Sequence, residues 1–162
     1  MFWNNWREKR IIKNAFGEYL SPDIIGEILA NSDGKDYLSL KNGTIHFVVF
    51  QVRDDNVEII RSLIEKSINI ATQHDVIIGD IISPFVSLFY SIDDVDKKNY
   101  QILAKQLINE LKTGIKVIYG SKKGAIGNLG TETCMFYRAV IPEMGDYIKK
   151  LTSLDYGEIV EV

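Results

Sequence analysis

The segment His74–Tyr90, HDVIIGDIISPFVSLFY, constrains the fold more tightly than any other stretch of the chain. Two short apolar runs, Val76–Ile78 and Phe85–Phe89, flank Gly79-Asp80 and Ser83-Pro84. β-Branched and aromatic residues on both sides of a proline predict two strands joined by a tight turn. Asp80 stands between those runs, where a buried carboxylate without a partner is costly. It either serves a site, or lies where the strand meets solvent or caps a backbone N–H. This segment alone leaves both open.

At 162 residues the chain fits one domain with a real core. Its 46% hydrophobic and 25% charged residues are ordinary for a globular protein. A net charge of −3 gives no basic footprint, so nucleic acid is not an expected partner. Cys134 is the only cysteine, which excludes an internal disulfide and fits a reducing compartment. With His46 and His74 the only histidines, a His- or Cys-based metal site is not expected. No apolar run reaches the ~20 residues of a membrane span, and charges interrupt any signal-like core in MFWNNWREKRIIKNAF. A cytoplasmic location is the expectation. Asn42-Gly43-Thr44 matches a glycosylation sequon but reads as a turn.

In chain order, Phe2, Trp3, Trp6, Ile11, Ile12 and Phe16 form an apolar stripe at helical spacing. Ser21-Pro22-Asp23 is a helix start, with Ile24, Ile25, Ile28 and Leu29 as its apolar face. Tyr37, Leu38 and Leu40 lead into Asn42-Gly43, which predicts a type I′ hairpin turn before a strand over Thr44–Val52. Phe47-Val48-Val49-Phe50 is apolar throughout, as for a strand covered on both faces. His46, in that strand, is expected to have a structural or surface role rather than a metal-binding one. Residues 55–73 carry Val57, Ile60, Ile64, Ile68 and Ala71 on one helical face. Asp93, Asp94 and Asp96 do not complete a calcium loop and read as an acidic helix start. That helix presents Tyr100, Leu103, Ala104, Leu107, Ile108 and Leu111, and Thr113-Gly114 ends it.

A strand over Ile115–Tyr119 is followed by GSKKGAIGNLG. The glycine spacing lacks the phosphate-loop pattern and marks close backbone approach instead. Met135–Ile141 reads as a further strand, Pro142–Leu151 as a helix interrupted at Gly145, and Glu158–Val162 as a closing strand. The central β–α–β–β–α–β order matches a ferredoxin-like antiparallel sheet with helices on one face.

Several of these segments, in this order, resemble the class III adenylate/guanylate cyclase catalytic domains. Phe16-Gly17-Glu18-Tyr19-Leu20-Ser21-Pro22-Asp23 is similar to the F-x-x-Y-V-S-P-E helix that precedes those domains. Phe47–Gln51 resembles their first strand, L-F-A-D-I, and Ile78-Gly79-Asp80 with Ser87-Leu88-Phe89 resembles the I-G-D…A-x-F hairpin. Gly127-Asn128-Leu129-Gly130 resembles G-N-I-G, and Val140-Ile141-Pro142-Glu143 through Leu151 follows the spacing of V-I-G-D-x-V-N-x-A-x-R-L. The resemblance runs from about Phe16 to Leu151.

It implies an α+β fold: a ferredoxin-like βαββαβ core with additional C-terminal strands and a helix, preceded by N-terminal helices. Residues 1–34 form the helical segment and 35–162 the cyclase-like domain. It also implies a head-to-tail dimer with sites at the interface, where two carboxylates hold two divalent metals. One carboxylate corresponds to Asp80. The other falls at Val52, which has no ligand atom. The base-selecting positions fall at Val76 and Glu143, and the transition-state asparagine and arginine at Asp146 and Lys150. Asp146 places negative charge near a triphosphate, and Lys150 lacks the guanidinium fork. Asp54 and Asp55 follow the strand and, with a register slip, could substitute for the missing ligand; Asp54 shares a face with Val52 by alternation, one step further along.

The expectation is a cyclase-like domain that has lost cyclase chemistry and serves as a regulatory or scaffolding dimerisation module. Its partner is a second copy or another cyclase-like chain, with no membrane span, and Asp80 lies at the sheet centre beside Val52. No cofactor is expected. Magnesium or manganese belongs only to the alternative, a divergent nucleotide cyclase. A metal-independent small-molecule sensor is the third possibility.

Overall fold

The computed structural model describes residues 40–54, 56–90, 92, 99–128 and 137–162. The N-terminal helices, the Phe16–Asp23 motif, Tyr37, Leu38, Asp55, Asp93, Asp94, Asp96 and Leu129-Gly130 lie outside them. In chain order the elements are β1 (Lys41–Val52), α1 (Val57–Ala71), β2 (Ile77–Ile82), β3 (Phe85–Phe89), α2 (Asn99–Leu111), β4 (Ile115–Asn128), β5 (Tyr137–Val140), α3 (Met144–Ser153) and β6 (Ile159–Glu161). Asn56 starts α1 as its side chain accepts from the Ile59 N–H at 2.9 Å, relieving one orphan donor of the first turn.

The strands lie in the order β2-β3-β1-β4-β5, with β6 parallel to β4 on the side away from β1. The first four strands are all antiparallel neighbours in the ferredoxin-like arrangement. β1 is the centre of this sheet. Phe47–Gln51 pairs with β3, and all twelve of its residues pair with β4. Its run Ile45–Phe50 is buried, as an apolar strand covered on both faces requires.

Alternation along β1 divides the core in two. Val48, Phe50 and Val52 face α1 and α2, packing with Ile70, Ala71, Leu103, Ala104 and Leu107. Ile45, Phe47 and Val49 face the other way, toward Ile77, Phe89, Ile118, Ile141 and Leu151. Met144, Tyr147 and Leu154 cover that second face from α3 and its exit. Lys116 fastens α3 there: its Nζ donates to the carbonyls of Thr152 and Leu154, both at 2.9 Å, satisfying acceptors that the helix end leaves free.

Two expectations need correction. Asn42-Gly43 is not a hairpin turn, because both residues lie inside β1, paired with Ala125 and Gly124. A local turn preference is overridden by a continuous ladder with β4. Glycine at 43 makes room for a neighbour, since a Cβ there would lie 2.5 Å from the Ile92 side chain, which would have to shift. Gly145 does not interrupt the last helix, which runs through it. The glycines of β4 do mark close approach: a Cβ on Gly120 would meet the Val162 carbonyl oxygen at 2.5 Å, and one on Gly124 that of Val140 at 2.3 Å.

Gly79 is equally confined, as a Cβ there would lie 2.2 Å from the Phe89 ring and 2.6 Å from Ser87 Oγ. Gly79→Ala is expected to destabilise the protein by about 1–3 kcal/mol through overpacking. Gly145 has nothing within 4 Å of such a Cβ, so Gly145→Ala should stabilise by roughly 0.5 kcal/mol. Urea unfolding of both variants checks the opposite signs.

Candidate functional site

Asp80 is placed by a bulge. β2 and β3 pair regularly at Ile78↔Leu88 and again at Ile81↔Val86, with a register shift between. Strict alternation would turn Asp80 to the side of Ile78, toward α1 and α2. The irregularity re-aims it, as bulges do, into a cleft with Val49, Ser87 and Phe89 on the α3 face. Ser87 closes the gap left in the ladder. Its hydroxyl accepts from the Asp80 N–H at 2.8 Å and donates to the Asp80 carbonyl at 3.3 Å.

The carboxylate has a cation. Arg138 on β5 donates from Nε to Asp80 Oδ1 at 2.9 Å. β2 and β5 are at opposite ends of the strand order. In a flat sheet, four spacings of ~4.8 Å would hold them about 19 Å apart. The contact therefore requires the sheet to curl so that its two ends meet over the α3 face. The cleft beneath has a volume of about 260 Å³ and is walled by Val49, Phe85, Phe89, Met144 and Ile148. The Arg138 side chain is 21% exposed and that of Asp80 56%. A pair so open to solvent stabilises by only about 0–1 kcal/mol.

The other candidate residues are dispersed. Val52 is fully buried against the α1–α2 core, on the opposite face from Asp80, so the expectation that the two sit side by side is corrected. The β1 residue that shares the cleft is Val49, opposite Ser87. Asp80 is also on an end strand rather than at the sheet centre. Val76 is buried in the α1–α2 core before β2. Asp54 is exposed beyond the end of β1, five residues past Val49 and on the order of 15 Å along the strand direction. Glu143 precedes α3 and is exposed. Asp146 and Lys150 lie one turn apart on the exposed side of α3, and Asp146 pairs with Lys149 at 3.0 Å.

Two divalent cations, which the resemblance implies, need facing carboxylates. Among the described residues no group of three His, Cys, Asp or Glu side chains converges. Gln51 is on the Val49 side of β1 by alternation, and its buried Oε1 has no hydrogen-bond partner among the described residues. One neutral amide oxygen and one carboxylate already held by a guanidinium do not match a two-metal donor set.

Neither a protein-family model nor a curated protein sequence matches the chain. Solved structures do. The adenylyl cyclase CyaB from P. aeruginosa superposes with a TM-score of 0.56 at 15% identity, over 76% of this chain and 79% of that one. The guanylate cyclase domain of RhGC from Catenaria anguillulae, solved with GTP, gives 0.61 at 14% identity, over 75% and 79%. The non-canonical dimeric guanylyl cyclase domain of the RhoGC fusion protein from Blastocladiella emersonii gives 0.60 at 13%, over 76% and 80%; that domain has also been crystallised as a monomer. The fold is that of adenylyl and guanylyl cyclase catalytic domains.

Arg138 escaped the sequence reading because it stands 58 residues from Asp80 and carries no motif. Ser87→Ala is expected to cost about 1 kcal/mol, because it strands the two backbone groups of the bulge. Chemical denaturation measures the loss, and faster hydrogen exchange at the Asp80 amide localises it.

Proposed function

We propose that the chain is a cyclase-fold domain that does not cyclise nucleotides and acts as a regulatory or scaffolding dimerisation module. The observation that carries this is the composition of the Asp80 face. Where two metal-holding carboxylates are required, β1 contributes Val49 to the cleft, Gln51 follows on the same side by alternation, and Asp54 lies off the end of the strand. Asp146 and Lys150, where the resemblance calls for asparagine and arginine, add a negative charge and remove a fork for phosphate oxygens. The expected partner is a second copy or another cyclase-like chain. Support comes from the dimeric structural neighbour and from exposed apolar residues on the end strands, Ile81, Ile82 and Val140. Among the described residues no helix is long and apolar enough to cross a membrane.

A second function, metal-independent sensing of a small molecule, is favoured by one observation. The cleft beside Asp80 and Arg138 has apolar walls and a charged rim, a combination that suits a small organic ligand.

Incubation with ATP or GTP and either magnesium or manganese is expected to give no cyclic nucleotide above background. Robust product that Asp80→Ala abolishes would restore the enzyme. Light scattering at high micromolar concentration should report a dimer or larger; a monomer throughout removes self-association from the proposal.

A further inference from the structure

The carboxylate that the resemblance assigns to metal is occupied from within the chain. We propose that the Arg138 guanidinium takes the place of a divalent cation at Asp80, as a built-in cation that latches β5 over the α3 face and excludes metal from that carboxylate. The latch rests on the proposed loss of metal-dependent chemistry and specifies what replaced it.

Three observations converge. The bulge at Gly79-Asp80 aims the acid at the cleft instead of the helix core, and Ser87 holds that geometry through two hydrogen bonds. The cation that meets it comes from the other end of the strand order, so the contact is long-range and forms only because the sheet curls. The cation is also the right kind. A guanidinium stays charged at any working pH and donates directionally to a carboxylate oxygen. It needs none of the additional oxygen ligands that a dication demands and that Val49 does not supply. With positive charge already 2.9 Å from Oδ1, an incoming dication meets like-charge repulsion and must displace a formed hydrogen bond.

The latch predicts that removing Arg138 frees the Asp80 carboxylate for weak, single-carboxylate contact with cations that the wild type refuses. The test uses the full chain as wild type, Asp80→Asn, Arg138→Gln, Arg138→Lys and the Asp80→Asn/Arg138→Gln double variant. Urea unfolding of the cycle is expected to give a coupling of about two- to fivefold in the unfolding constant. Backbone amide spectra with millimolar Mn2+ read out metal at the site. The Gly79, Asp80 and Ile81 resonances should stay sharp in wild type and broaden in Arg138→Gln. The double variant should be sharp again, and Arg138→Lys, which keeps a cation, should resemble wild type. If Arg138→Gln does not fold, the Arg138→Lys and wild-type spectra carry the test. Broadening in wild type that Asp80→Asn removes would overturn the latch, as would additive unfolding effects with no Mn2+ response in Arg138→Gln. Wild-type metal binding without cyclic product defeats the latch alone. Cyclic product with these amides still sharp defeats the proposed function alone.

Discussion

Burial of β1 on both faces is the constraint from which the rest of the structure follows. Ile45–Phe50 can be dry only if strands flank it and layers cover it above and below. β3 and β4 provide the flanks. The helices α1 and α2 cover one face, and α3 with the returning C-terminal strands covers part of the other. Among the described residues, one face carries helices of fifteen and thirteen residues, while the other carries a ten-residue helix, a four-residue strand and the Asp80–Arg138 pair, with a cleft beside Asp80.

The ion pair gains its importance from geometry more than from energy. Its two partners are too exposed for a large contribution to stability. It does fix which groups surround Asp80. Asp80, on an end strand and re-aimed by a bulge, is met among the described residues by Arg138 of the same chain. In the proposed reading, Arg138 is the counter-charge at the position where the resemblance implies metal. Fold alone does not carry an activity, and the side chains of the site decide it.

The framework was legible in the sequence because its signals are local and periodic. The apolar run Phe47–Phe50, the helical spacing from Val57 to Ala71 and the strand pair around Ser83-Pro84 all give the elements expected of them. Where those signals misled, a long-range contact decided the outcome. Asn42-Gly43 has the chemistry of a turn, but a ladder to residues more than eighty positions later holds it in a strand. The resemblance puts the second carboxylate position at Val52, yet alternation turns Val52 to the helix side and brings Val49 to the cleft. No periodicity could pair Arg138 with Asp80, since the contact exists only once the sheet has curled.

The central claim is that Asp80 is held by Arg138 in place of metal, and a crystal grown with MnCl2 and a non-hydrolysable nucleoside triphosphate tests it most directly. Anomalous scattering at the manganese edge should show no ordered ion at Asp80, with Arg138 Nε still on Oδ1 near 2.9 Å. A manganese peak on the Asp80 carboxylate, with the triphosphate beside it and Arg138 swung away, would contradict the account.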